Sequence, residues 1–106
     1  MIKAHFYRNE TGGLYGFKVK DHADSIICSA VSALVMNCVN AMEELTDAKV
    51  KYKSKEKDGV ITCEVPKLKK GSHHRDADLL LRALRLGLIS IAIEYGEHIR
   101  VYDEEV

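Results

Sequence analysis

The chain has no excess charge of either sign. Its 16 basic and 16 acidic residues cancel, so the overall balance does not draw it to nucleic acid or to a membrane surface. It has only three cysteines, Cys28, Cys38 and Cys63, too few and too irregularly spaced for a disulfide framework. The expected compartment is therefore the reduced cytoplasm. Met1 to Glu10 lack the basic and apolar regions of a secretory signal, and no apolar run reads as long enough to span a bilayer, so no membrane partner is expected. No cluster of residues asks for a cofactor or a metal. The single proline, Pro66, marks one break in the chain.

What is present reads as one soluble domain over residues 1–106. Hydrophobic residues make up 46% and charged residues 30%, an ordinary globular balance at a length that supports one core. Ile2 to Arg8 alternates with period two, Asn9-Glu10-Thr11-Gly12-Gly13 supplies a turn, and Leu14 to Lys20 resumes the pattern, giving an opening hairpin. Ile27, Val31, Leu34, Cys38, Met42 and Leu45 then recur at helical steps to about Thr46. Alternation returns from Ala48, turns at Lys57-Asp58-Gly59 and runs from Val60 to Val65 as a second hairpin. Lys67 to Arg75 reads as a mobile surface loop. Asp76 is placed to cap a second helix carrying Leu80, Leu81, Leu84, Leu88, Ile91, Ala92 and Tyr95 on one face, with Gly96 at its end. His98 to Tyr102 closes as a strand. The order β-β-α-β-β-α-β predicts an α+β fold, an antiparallel sheet with two helices packed on one face.

The chemistry concentrates between the first hairpin and the first helix. Cys28 follows His22 by six positions, and the cysteine falls where the helix begins. A free thiol has a pKa of about 8.5, so it is mostly protonated at neutral pH unless something stabilises the anion. Unpaired N–H groups at a helix start and a nearby imidazole both do this, so the spacing suits a Cys–His pair. Cys28 also fits the apolar stripe poorly. Cys38 and Cys63, by contrast, sit on apolar faces and read as core.

In its His-Ala, its short linker and its Cys28-Ser29-Ala30-Val31-Ser32-Ala33-Leu34 run, the chain resembles the ribosomal-processing cysteine proteases, the Prp or YsxB-like family. The resemblance extends through Val39-Asn40-Ala41 to Glu94-Tyr95 and Ile99-Arg100-Val101. It implies a homodimeric cysteine endopeptidase that removes the N-terminal extension of ribosomal protein L-twenty-seven, with His22 as the family's histidine and Cys28 as its nucleophile. Ser32, one turn after Cys28, matches a serine near the family's active site. Two features depart from the family pattern. Asp21 replaces the usual glycine before the histidine, and a shortened linker puts Ser25 where an aspartate is usual, three residues before the cysteine. Ser25 can still act as an N-cap, and the N–H groups of Cys28 or Ser29 are candidate oxyanion donors. Asp21 and Asp24 are close enough in sequence to orient His22.

Other features carry less. His73-His74 lacks partners at metal-ligand spacing, His5 belongs to a strand, and Gly12-Gly13 is turn chemistry rather than a phosphate cradle. Lys49, Lys51, Lys53, Lys55 and Lys57 alternate along the second hairpin, continued by Lys67, Lys69, Lys70 and Arg75. They read as a solvated face, or as a weak contact to ribosomal RNA, although no aromatic is interleaved among them as a stacking surface would need. The second functional reading is accordingly a non-catalytic dimeric module that binds ribosomal RNA or an assembly intermediate.

Overall fold

The computed structural model describes residues 1–55 and 59–105. Along the chain run β1 (Ile2–Arg8), β2 (Leu14–Lys20), α1 (Ser25–Leu45), β3 (Lys51–Lys55), β4 (Val60–Glu64), α2 (Pro66–Lys69), α3 (Arg75–Glu94) and β5 (Ile99–Glu105). The strands form one five-stranded sheet in the order β3-β4-β2-β1-β5. The α+β class and both hairpins are as the periodicity predicts. The second hairpin's turn at Lys57 and Asp58 lies outside the described residues.

One pairing departs from an all-antiparallel sheet. β1 runs antiparallel to β2, and β4 antiparallel to both β2 and β3, but β5 lies parallel to β1. The reason is the crossover. α3 carries the chain back along the sheet before β5 begins, so β5 must run as β4 does, and β4 runs as β1 does.

Alternation assigns the two faces of the sheet. Ile2, Ala4, Phe6, Phe17, Val19, Cys63 and Ile99 are buried toward the helices, and burial of a phenylalanine such as Phe6 or Phe17 stabilises the fold by about 2–3 kcal/mol. α1 closes over them with Ile27, Val31, Val35, Cys38, Val39 and Met42, and α3 with Ala77, Leu81, Leu84 and Leu88. Contrary to expectation, α1 is by length and composition apolar enough to cross a membrane; in this fold its stripe is covered by the sheet.

Two local predictions need correction. The segment after Pro66 is not all loop, because Pro66 stands at the first turn of the short helix α2, where its missing N–H costs nothing. Leu68 is buried there, and Asn9 Nδ2 donates to the Leu68 carbonyl at 2.8 Å. α3 is capped by His74 rather than Asp76. His74 Nδ1 accepts from Ala77 N at 3.1 Å while Nε2 meets Asp47 Oδ1 at 2.6 Å. The Asp47 carboxyl is held below its ordinary pKa, chiefly by that hydrogen bond.

Asn9 ties the opening turn to α2, since its Oδ1 also accepts from Thr11 N, Thr11 Oγ1 and Gly13 N. Asn9→Ala leaves the buried Leu68 carbonyl and the part-buried turn groups without this partner and should lower the unfolding free energy by about 2 kcal/mol, read from urea midpoints. A midpoint equal to that of the unaltered protein would refute this account.

Candidate active site

The chain leaves β2 at Lys20 and turns at Asp21, whose φ of 71° lies in the left-handed region. Its carboxylate approaches Lys3 Nζ at 3.6 Å, and Met1 N donates to the His22 carbonyl at 2.8 Å. The short connection is thus tied to the start of β1 at two points. It ends at Asp24, the N-cap of α1, whose Oδ1 accepts from Ile26 N and Ile27 N, each at 3.0 Å. Asp24 rather than Ser25 fills the cap, because helical geometry begins at Ser25 and only the preceding side chain can reach back over the first turn.

With the helix started there, Cys28 lies at its fourth residue, half-buried, and its sulfur faces the connection. Ala23 N donates to Cys28 Sγ at 3.3 Å, and the thiol can donate to the Ala23 carbonyl at 3.4 Å. Ionisation gives up the second contact and strengthens the first, since an N–H aimed at an anion makes the stronger bond.

His22, Cys28 and Ser32 line one pocket of about 180 Å³. Its apolar walls come from Val19, Val31 and Ile61, among others, while Ser54 and Lys55 reach it from β3. The pocket therefore sets a thiol, an imidazole and a hydroxyl beside a surface that fits an apolar side chain, an arrangement suited to acyl transfer from a peptide.

The other predicted residues lie elsewhere. Ser25 is exposed at the first turn, and Ser29 is exposed with its Oγ donating to the Ser25 carbonyl at 2.8 Å; neither lines the pocket. The N–H of Cys28 is not a free oxyanion donor, because it donates to the Asp24 carbonyl at 2.9 Å. Ser29 N–H falls inside the helical ladder. Asp21 is paired with Lys3, and Asp24, besides capping, stands 3.8 Å from His98 Nε2. Among the described residues neither carboxylate is hydrogen-bonded to the His22 ring.

Gly59 is a site residue that the sequence reading took only for a turn. At φ +62°, it presses its bare Cα against the imidazole, and a Cβ there would stand 2.4 Å from His22 Nε2. A Gly in a turn could signal the φ, but its contact with His22 depends on β4 lying beside β2, which no local pattern announces. The remaining cysteines are core, as predicted. Burial pushes the Cys38 thiol up to about 11 and the Cys63 thiol up to about 12, so both stay protonated near neutral pH. Among the described residues no group of side chains could hold a metal ion.

Comparison with known proteins identifies the chemistry. Residues 1–100 match the family model described as cysteine protease Prp. The ribosomal processing cysteine protease Prp of Bacillus subtilis is 26% identical over 107 residues, covering 95% of this chain and 96% of the relative. The essential ribosomal processing protease Prp from S. aureus, solved with a covalently linked product peptide, has a TM-score of 0.89 to this chain. It is 25% identical, with 98% of this chain and 100% of that one covered. A Streptococcus mutans protein of solved structure has a TM-score of 0.85 at 31% identity, covering 100% and 99% of the two chains. The chain belongs to the cysteine protease Prp family and is a cysteine protease.

The Gly59 contact yields a sharp test. In Gly59→Ala the added methyl must displace the His22 ring, so peptidase turnover should fall at least about tenfold. Unfolding free energy should fall by only about 1–2 kcal/mol for the left-handed φ. Steady-state kinetics beside a urea titration separates the two, and undiminished turnover would remove His22 from the position claimed for it.

Proposed function

We propose, for this member of the cysteine protease Prp family, the role of the endopeptidase that removes the N-terminal extension of ribosomal protein L-twenty-seven, with Cys28 as nucleophile and His22 as its acid–base partner. The observation that carries this reading is the shared pocket. One half-buried thiol, with an amide N–H on its sulfur, lines the same cavity as an exposed imidazole. The names of the relatives from Bacillus subtilis and S. aureus, both ribosomal processing proteases, support the class of substrate. Membership of a protease family also speaks against a purely non-catalytic binding module.

In the proposed reaction His22 takes the proton of Cys28, and the thiolate attacks the scissile carbonyl carbon. The C–N bond breaks as His22 returns that proton to the leaving amine, and the acyl group stays on sulfur as a thioester. Water, with His22 now as base, cleaves the thioester to a carboxylate and restores the thiol. Ser32, on the pocket wall one turn along α1, is placed to hydrogen-bond the bound peptide. The medium is the cytoplasm, where a free nucleophilic thiol remains reduced.

The proposed assembly is a homodimer. Leu79, Leu86 and Ile93 stand 58%, 66% and 82% exposed on α3, seven residues apart and hence along one stripe of the helix. A second copy of the same stripe would cover them.

Incubation of the extended ribosomal protein from the same genome with the enzyme should release the extension at one bond, seen by mass spectrometry. Cys28→Ala should abolish release, and His22→Ala should slow it by at least about 100-fold. Intact product with the unaltered enzyme, or undiminished cleavage by Cys28→Ala, would sink the proposal. Leu86→Glu should convert a dimer to a monomer in sedimentation velocity, whereas an unaltered dimer would move the interface away from α3.

A further inference from the structure

The two long helices cover one face of the sheet; the other is left open except where the short helix α2 reaches it, with Lys69 3.8 Å from Glu64 and over the Tyr15 ring. The strand registers reveal what that open face carries. Two full rows across it read Lys53, Thr62, Lys18, His5 and Tyr102, and Lys51, Glu64, Gly16, Tyr7 and Glu104; beyond the first of them Lys55 stands opposite Val60, and Lys20, Lys3 and Arg100 align on the neighbouring strands. Among the described residues of these rows, seven side chains are basic and two are acidic; Lys3 is paired with Asp21 and Glu64 with Lys69, and with those two partners included eight basic groups face three acidic ones. The chain's zero net charge conceals this segregation.

The aromatics missing from the lysine run in sequence are supplied here from other strands. Tyr102 is backed by His5, centroids 5.0 Å apart and planes 18° from parallel, with His5 Nδ1 held 2.7 Å from Glu104 Oε1, and half-buried Tyr7 stacks on the buried Tyr15 at 5.9 Å. Tyr102 is 38% exposed. Between Tyr7 and the lysines the face dips into a hollow of about 340 Å³ lined by Tyr7, Lys51, Lys53, Thr62 and Glu64 among others. The bare Cα of Gly16 lies in this row, and a Cβ there would strike the Cys63 carbonyl at 2.4 Å.

We propose that this open sheet face binds single-stranded RNA. Spaced ammonium groups follow a phosphate backbone and release its counterions, while an exposed aromatic stacks on any base. A sheet face five strands wide presents both to an extended, unpaired strand. An anionic membrane or an acidic protein would use the charge but would leave the exposed ring of Tyr102 and the hollow beside Tyr7 idle. The choice of RNA over DNA rests on the proposed ribosomal substrate, whereas the charge and stacking arguments are independent of it.

The test uses the full chain carrying Cys28→Ala, so that no peptidase activity intervenes, and a fluorescein-labelled RNA of twelve unpaired nucleotides. Anisotropy should give a Kd of about 1–100 µM at physiological salt, with log K falling by about 0.7 per engaged phosphate for each tenfold rise in salt. K18E/K53E should weaken binding at least tenfold and flatten the salt slope, Y102A should weaken it at least threefold, and Arg82→Gln on α3 should leave it unchanged. With Cys28 restored, K18E/K53E should keep its turnover on a short peptide and its urea midpoint, which distinguishes failure of the RNA surface from failure of the active site. The proposal falls if no RNA binding is measured, if K18E/K53E binds as tightly as its parent, or if DNA of the same sequence binds equally well. It falls equally if a polyglutamate peptide or anionic phosphatidylglycerol vesicles displace the RNA at equal charge concentration.

Discussion

The position of Cys28 depends on where α1 begins and on which way its stripe faces. Asp24 settles the first by taking the N–H groups of Ile26 and Ile27. The sheet settles the second, because Ile27, Val31, Val35 and Val39 must turn toward Phe6 and Phe17 for the core to close. With both fixed, residue 28 falls one helical step beside the buried stripe and residue 32 one turn further along the same line. The thiol is therefore neither sealed nor free; it lies in the seam between helix and sheet, where a cavity remains. A start one residue later, as a Ser25 cap would give, would leave Ile26 N–H without the Asp24 carboxylate that now receives it.

Much of this was legible because it is local. Period-two alternation gives β1 and β2, 3.6-residue recurrence gives α1 and α3, and six-residue spacing links His22 to Cys28. What was not legible is lateral. Nothing in the run from Lys51 to Glu64 says that β4 inserts beside β2, yet that neighbour relation brings Gly59 against His22 and makes Ile61 a pocket wall. The parallel placement of β5 on β1 is likewise a consequence of crossover geometry. Short-range errors have different causes. Pro66 reads as a break because proline ends helices, but it also opens them, and the anchor from Asn9 to Leu68 is a contact across the fold. At α3 the imidazole of His74 took the capping role that a carboxylate was expected to fill, since Asp47 holds its Nε2 and leaves Nδ1 as the acceptor.

The three cysteines illustrate how one residue type acquires different chemistry from its surroundings. Cys38 and Cys63 lie among apolar side chains, where ionisation would place a charge in low dielectric, so their thiols are pushed far above neutral pH. They act as small hydrophobes. Cys28 meets the core on one side and a backbone amide on the other, so its sulfur has a partner that favours the anion. Cys38 and Cys63 are buried, whereas Cys28 is half-buried on the wall of the pocket that it shares with His22.

A zero net charge does not say how the charges are distributed over the surface. On the helix-bearing side, cations are neutralised where they stand. Arg85 donates to Asp103 at 2.8 Å, Arg8 approaches the same carboxylate at 3.6 Å, and Arg82 meets Asp78. The Asp103 carboxyl is accordingly held below its ordinary pKa, first by the Arg85 hydrogen bond. On the open face Lys3 meets Asp21 and Lys69 meets Glu64, but Lys20 stands opposite Lys3 and Lys51, Lys53 and Lys55 alternate along β3, cations that repel one another unless a polyanion or salt intervenes. A sheet with β-favouring partners could have placed threonine or glutamate at those positions at no cost to the core. The proposed RNA surface draws on that local density of like charge, which a chain-wide net charge of zero averages away.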